Sequence, residues 1–150
     1  MILGIDPGIS GGLAFTEDKH NSDLFMIPII NGNQVDVNMF LHMLVEYKPD
    51  ACYIEMPQMR GGNRGLLTSG SNYGRLLGIL ECQQIKTVPV HARTWGSKIF
   101  PDIKGKEKRK QAAIDLCKKN GIDIPYQTKN KLSDGAAESY AISLWGILCE

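Results

Sequence analysis

The sequence predicts a single α/β domain over residues 1–150, in which helices flank a mixed sheet made of a three-strand antiparallel meander and further parallel strands. Two observations predict this class. Three short apolar segments near the N-terminus are separated by glycine-rich or polar turns, which is typical of a meander. Farther along, strand-like segments alternate with helical ones, which indicates parallel strands joined by helical crossovers. A chain of 150 residues can bury one sizeable core and is short for two domains.

The meander begins with an apolar strand, residues 1–5, that runs directly into Asp6 and a turn over residues 7–12 with one proline and three glycines. An acid at this point either caps the turn or faces a cation in a cleft. Residues 13–16 and 23–28 are predicted to be the second and third strands. Asp6 is therefore expected at the end of the strand that starts the sheet.

The remaining elements follow from apolar spacing and helix caps. Asp36 is placed to cap a helix over residues 37–47, whose apolar residues lie three and four positions apart. Three glycines spaced by four residues in a helix over residues 69–83 would let that helix lie close to the sheet. Gly121 should end a basic helix over residues 106–119. The other predicted segments are strands at 51–55 and 87–90, a loop at 56–68, a helical turn at 91–100 and a last helix at 133–148.

Charge is segregated along the chain, although the formal net charge is only +1. Residues 91–131 carry eleven lysines and arginines against four acids, whereas the parts before and after this segment are acidic. This pattern indicates a surface that meets a polyanion beside a pocket that holds cations.

The cysteines and the hydropathy pattern indicate where the protein works. The four cysteines are far apart and have no C-x-x-C pairing, so we expect free thiols in a reducing compartment and no zinc site. No apolar run approaches the 18 residues of a membrane span, and no signal-peptide pattern is present. An intracellular protein without a membrane partner is predicted.

Four acids form the candidate catalytic and metal-binding site: Asp6, Glu55, Asp134 and Glu138. Asp6 and Glu55 each end an apolar strand, and open sheets bind ligands outside the carboxyl ends of their strands. Asp134 and Glu138 are four residues apart, so they share one face of the last helix and repel each other. Carboxylates without thiol or imidazole favour Mg²⁺, with Mn²⁺ as a substitute, and two such ions commonly hydrolyse phosphodiesters. The alternative is structural: Asp134 supports the helix start, and Glu55 is exposed or paired with an arginine.

Three motifs resemble the acidic motifs of RuvC-like Holliday junction resolvases, which are nucleases with a ribonuclease H-like fold. The motifs read ILGIDPGISG, YIEMP and SDGAAESYAIS, and the resemblance extends through almost the whole chain. Two further segments, NYGRLLGIL and TVPVHARTW, are similar to the chloroplast resolvases. The resemblance implies that Asp6 and Glu55 bind metal at the ends of two strands, and that Asp134 and Glu138 complete the site with the four-residue spacing of the chloroplast type.

The basic segment is the candidate DNA-binding surface, because phosphates must be held against a repulsive cluster of carboxylates. Tyr73 and Trp95 would either stack on bases or pack in the core. A four-way junction is two-fold symmetric, so paired nicks predict a homodimer, for which the resemblance suggests the helix over residues 69–83 as the interface. The candidate DNA-binding residues are Arg60, Arg64, Tyr73, Arg75, Lys104, Lys106, Lys108, Arg109, Lys110 and Lys131.

The predicted function is a metal-dependent, structure-selective endonuclease that nicks opposed strands of four-way DNA junctions. One alternative is a nuclease for other branched DNA or for RNA, and another is a junction-binding protein without catalysis. The GIDPG segment also resembles the phosphate loop of actin-like sugar kinases and ATPases. Those proteins need two domains and a second phosphate loop, which 150 residues cannot hold, so no nucleotide cofactor is predicted.

Overall fold

The structure is a computed structural model that describes residues 1–58 and 63–150, without the side chains of residues 63 and 64. Its central sheet has the strand order β3-β2-β1-β6-β7, in which β1 is antiparallel to β2 and parallel to β6. The predicted mixed sheet flanked by helices is therefore confirmed. The elements are β1 (Ile2–Asp6), β2 (Gly12–Asp18), β3 (Asn21–Met26), β4 (Ile29–Ile30), β5 (Gln34–Val35), α1 (Val37–Tyr47), β6 (Ala51–Glu55), α2 (Asn63–Cys82), β7 (Lys86–Val90), α3 (Ala92–Ile99), α4 (Lys106–Asn120), β8 (Tyr126–Thr128), β9 (Lys131–Leu132) and α5 (Asp134–Cys149).

The sheet separates two hydrophobic cores. Alternate residues of a strand face opposite sides, so Leu3 and Ile5 of β1 pack into the core under α1 and α2. Ile2 of β1 and Tyr53 of β6 belong to the other core, which α3, α4 and α5 cover. By the same alternation, the acids that end β1 and β6 are directed to the α3–α5 side of the sheet.

Helix α5 lies in backbone contact with the sheet. A Cβ added to Gly4 of β1 would overlap the backbone oxygen of Ser139 and come within 2.6 Å of the backbone nitrogen of Ser143. Gly11 forms a parallel bridge with Gly135 in the first turn of the helix. The position of α5 relative to β1 is therefore fixed by the backbone itself.

Several elements agree with the prediction to the residue. The bounds of α1 and β6 are those predicted, and the side chain of Asp36 accepts hydrogen bonds from two backbone N–H groups in the first turn of α1. Gly121 ends α4 in the left-handed conformation, with φ of 75°. Local capping and apolar spacing were sufficient to place these elements.

Two predictions about local structure are wrong, and one feature was missed. Helix α2 begins at Asn63, so the predicted loop over residues 56–68 extends too far. Two hairpins, β4–β5 and β8–β9, were not predicted, because their two- and three-residue strands are too short to show alternation. A Cβ on Gly70, Gly74 or Gly78 would meet nothing within 4 Å, so these glycines do not bring α2 close to the sheet.

Two features relate to the predictions about free cysteines and membrane spans. All four cysteines are free thiols, of which Cys52 and Cys117 are buried. Among the described residues, no helix combines the length and the apolar character needed to cross a bilayer.

Candidate active site

The four predicted acids line a single cavity of about 540 Å³ at the end of the sheet where β1 and β6 finish and α5 begins. Asp6 and Glu55 reach it from the strands, and Asp134 and Glu138 reach it from the helix. Three basic side chains of α4 share this cavity: Lys106, Arg109 and Lys110. The structure thus brings together residues that are more than 130 positions apart in the sequence.

Strand register makes the first two acids neighbours. Ile5 pairs with Ile54 in the parallel ladder, so Asp6 and Glu55 occupy the next positions on adjacent strands. The Oδ1 atom of Asp6 also accepts a hydrogen bond of 3.2 Å from the backbone nitrogen of Gly8. Asp6 therefore caps the turn and lines the cavity at the same time, so the two sequence interpretations are compatible.

The two acids of α5 are almost buried and are paired with bases. Asp134 is 9% exposed and Glu138 is 6% exposed. Lys110 donates to Oδ2 of Asp134 at 2.9 Å, and Arg109 Nε donates to Oε1 of Glu138 at 3.0 Å. Lys131 lies 3.7 Å from the same oxygen of Asp134. The helix tolerates two buried like charges because neighbouring bases neutralise them.

Burial, together with mutual repulsion, raises the pKa values of three acids. Burial and the charge of Glu55 raise the pKa of Asp6 from 3.8 to about 6. Burial raises the pKa of Glu55, and the charge of Glu138 adds to this effect against a hydrogen bond from Trp95. Burial and the charge of Asp6 raise the pKa of Glu138, although Arg109 opposes them. These three carboxylates are thus close enough to resist simultaneous ionisation.

Asp134 behaves differently. Burial acts to raise its pKa, but the hydrogen bond and charge of Lys110, together with the charge of Lys131, outweigh burial and hold the pKa below its ordinary value. The pKa of Lys110 is raised in return by its hydrogen bond to Asp134. Asp134 is therefore ionised at neutral pH, with its charge already balanced.

The donor set suits a hard divalent cation, because it consists of carboxylates that share one cavity and repel one another. Within residues 1–58 and 63–150, however, no three acidic, imidazole or thiol groups are arranged to hold one ion together. Two of the four carboxylates point to Arg109 and Lys110 instead. The residues fit a metal by chemistry, and their side chains would have to leave these ion pairs to bind one.

The candidate DNA-binding residues of α4 fall into two groups. Lys106 is exposed at the rim of the cavity, whereas Arg109 and Lys110 are partly buried and paired with acids. Lys108 is two residues from Lys106 and from Lys110, so it lies on the opposite side of the helix. Lys104 precedes α4, is exposed and does not line the cavity.

The other candidates are more widely distributed. Tyr73 packs, half-buried, against the core under α1 and α2, and Arg75 is exposed on α2 away from the cavity lining. Lys131 is exposed on the short hairpin that leads into α5. Arg60 and the side chain of Arg64 lie outside the described residues.

One residue of the site was not assigned to it from the sequence. The side chain of Trp95 is fully buried, as the core interpretation predicts, and its Nε1 donates to Oε2 of Glu55 at 2.7 Å. A signal for this contact was available, since Val90 pairs with Glu55 and Trp95 follows five residues later. When a strand ends in an acid, the residues that follow the neighbouring strand are candidates to contact that acid.

Comparison with known proteins gives structural matches only. No protein-family model matches the chain, and no curated protein sequence does. RuvC of Thermus thermophilus, solved with a Holliday junction substrate, has a TM-score of 0.68 over 96% of this chain and 90% of that chain, at 15% identity. The Fowlpox virus resolvase, solved with Holliday junction DNA, has a TM-score of 0.53 over 99% of both chains at 18% identity. The yeast mitochondrial Holliday junction resolvase Ydc2 has a TM-score of 0.52 over 97% of this chain and 78% of that chain, at 15% identity.

The chain therefore has a ribonuclease H-like fold, as the motifs predicted. More particularly, its likeness extends over 90% of a bacterial RuvC and 99% of a viral resolvase. At these identities the likeness establishes the fold, and a closer relation to the chloroplast resolvases stays a prediction.

Proposed function

We propose that this protein is a metal-dependent endonuclease that nicks opposed strands of four-way DNA junctions. The observation that carries the proposal is the convergence of Asp6, Glu55, Asp134 and Glu138 on one cavity at the end of a RuvC-like sheet. The three solved structures described above belong to proteins named as resolvases or solved with Holliday junction DNA. The fold and the acids thus support the same class of reaction.

In this proposal the four carboxylates would hold two Mg²⁺ ions, or Mn²⁺ in their place. Such ions supply an activated water and stabilise the leaving oxyanion in hydrolysis of a phosphodiester. The chain itself binds and orients the phosphate: Lys106 at the rim is free to contact DNA, while Arg109 and Lys110 balance the charge of Glu138 and Asp134. Phosphate is thereby held beside a pocket that would otherwise repel it.

A homodimer is part of the proposal. A junction has two-fold symmetry, and two identical sites related by a two-fold axis can nick opposed strands.

The test of the proposed function uses purified protein and a labelled four-way junction, with Mg²⁺ or with EDTA, beside a linear duplex of the same sequence. We expect paired nicks in the junction only, and only with metal. Cleavage of the duplex or of RNA at a similar rate would overturn the junction selectivity.

The ion pairs of α4 favour one second candidate, a junction-binding protein without catalysis. Lys110 and Arg109 already neutralise two of the four acids, so Asp134 and Glu138 do not require metal to balance their charge. This candidate is supported if the protein binds the junction tightly, takes up no Mg²⁺ and leaves the DNA intact.

Two lysines of α4 distinguish binding at the cavity from general electrostatic attraction. We expect Lys106→Ala to reduce the slope of log K against log[salt] by about one unit, because each phosphate contact contributes about 0.9 to that slope. Lys108→Ala removes the same charge from the opposite side of the same helix and is the matched control. Junction affinity measured over a range of salt concentrations gives both slopes. Equal changes in the two variants would contradict a DNA path across the cavity.

A further inference from the structure

Trp95 and the side chain of Arg109 together link Glu55 to Glu138. Its indole N–H donates to Oε2 of Glu55 at 2.7 Å, and the guanidinium of Arg109 lies 5.1 Å from the centre of its ring. Arg109 in turn donates to Oε1 of Glu138 at 3.0 Å. A continuous chain of contacts therefore connects Glu55 on the sheet with Glu138 on α5.

The surroundings hold the indole in this position. Trp95 is 0% exposed, and Phe100 packs against it edge-on with ring centres 6.4 Å apart. Its neighbour Gly96 gives Arg109 room, because a Cβ there would come within 3.2 Å of the Cδ atom of Arg109. With Phe100 at its edge and Arg109 over its ring, the indole cannot turn away without disturbing the core.

The contact from Trp95 differs in kind from the ion pairs of the two acids on α5. Asp134 and Glu138 bond to cations, with which a metal ion would have to compete. Glu55 receives a neutral N–H, which fixes one oxygen without cancelling the negative charge. Among the described residues no base forms an ion pair with Glu55, so a cation bound there would not have to displace one.

We propose that Trp95 is a positioning residue that orients Glu55 for divalent-cation binding, with Arg109 holding the indole from the other side. This inference rests on the proposed function, since it concerns the same cavity, and it adds a residue to which the motifs gave no role at the site. Neighbours that orient metal ligands typically change metal affinity by about 10- to 100-fold when they are removed. Trp95→Phe removes the N–H and keeps an aromatic ring, so it tests the hydrogen bond more than the packing.

The first measurement uses the fluorescence of Trp95 itself. The chain has two tryptophans, and Trp145 packs edge-on against Tyr53 in another part of the core. In the Trp145→Phe variant, Trp95 is the single tryptophan, and we expect its emission to change saturably as Mg²⁺ is added without DNA. Adding Glu55→Gln should remove this response. This measurement leaves position 95 unchanged, so it holds even if a substitution there prevents folding.

The second measurement is the affinity for Mn²⁺ by calorimetry, again without DNA. We expect Trp95→Phe to bind Mn²⁺ about 10- to 100-fold more weakly, while Trp145→Phe stays within about twofold of the parent protein. Junction binding in EDTA should be the same in both variants. Mn²⁺ affinity of Trp95→Phe within twofold of the parent, or an unchanged Trp95 emission while the metal binds, would overturn this inference and leave the proposed function intact. A parent protein that takes up no divalent metal would overturn both.

Discussion

Asp6→Asn and Glu55→Gln are each expected to lower the rate of junction nicking by about a thousandfold or more while junction affinity in EDTA stays within about twofold. Each substitution keeps the size of the side chain and removes one negative charge from the cavity where metal is proposed to bind. A metal ion in such a site lowers the barrier by several kcal/mol, and every 1.36 kcal/mol is a tenfold change in rate. Single-turnover cleavage with saturating protein measures the effect, and an undiminished rate in either variant would remove that residue from the catalytic site.

The stability of the Asp6→Asn variant shows whether a lost activity reflects lost folding. The native pKa of Asp6, about 6, is above its ordinary value of 3.8, so the native state binds more protons than the unfolded state between these two values. The contribution of Asp6 to the stability of the metal-free parent should therefore fall as pH rises from about 4 to about 6 and stay level above that range. Asparagine does not ionise, so Asp6→Asn avoids this loss and should be more stable than the parent at pH 7 in EDTA, by on the order of 3 kcal/mol. Urea unfolding at several pH values measures the difference, and a variant less stable than the parent would contradict it.

Gly4→Ala is expected to have the largest effect on folding, about 3 kcal/mol or more of lost stability. The added methyl group would overlap the backbone of α5 at Ser139 and Ser143. Backbone cannot change rotamer to make room, so either α5 or β1 must move. Urea unfolding of the metal-free protein measures the loss.

Gly78→Ala is the matched control. Gly78 is inside α2, and a methyl group there meets nothing within 4 Å. Alanine should raise stability by about 0.5–1 kcal/mol, because it is the better helix former. Similar losses in both variants would show that the contact between α5 and β1 is not what makes Gly4 sensitive.

Most of the fold could be predicted because local signals were strong. Alternating apolar strands, the Asp36 cap and Gly121 at a helix end each act within a few residues. The hairpins β4–β5 and β8–β9 were missed because their strands contain too few residues to show a period. The first turns of α2 were missed because they lack a capping signal. The prediction that the glycines of α2 contact the sheet was wrong because the spacing of small residues does not indicate which side of a helix faces the sheet.

The candidate site was predictable as a set of acids but not as a set of contacts. Strand ends and helix spacing were sufficient to bring Asp6, Glu55, Asp134 and Glu138 to one cavity. The partners of these acids come from other elements: Arg109 and Lys110 on α4, and Trp95 on α3. Such contacts depend on how helices pack against one another, which the spacing within one segment does not encode.

The backbone contact between α5 and β1 limits how this site can be altered. Because Gly4 leaves no gap beneath Ser139, side-chain changes elsewhere in the site cannot bring the main-chain atoms that carry Asp6 and Glu138 closer together. Engineering a different ion preference would therefore have to work through α3 and α4, whose side chains contact the acids without such restraint. In a designed library, positions 95, 109 and 110 are the ones to vary, and the glycines under α5 are the ones to keep.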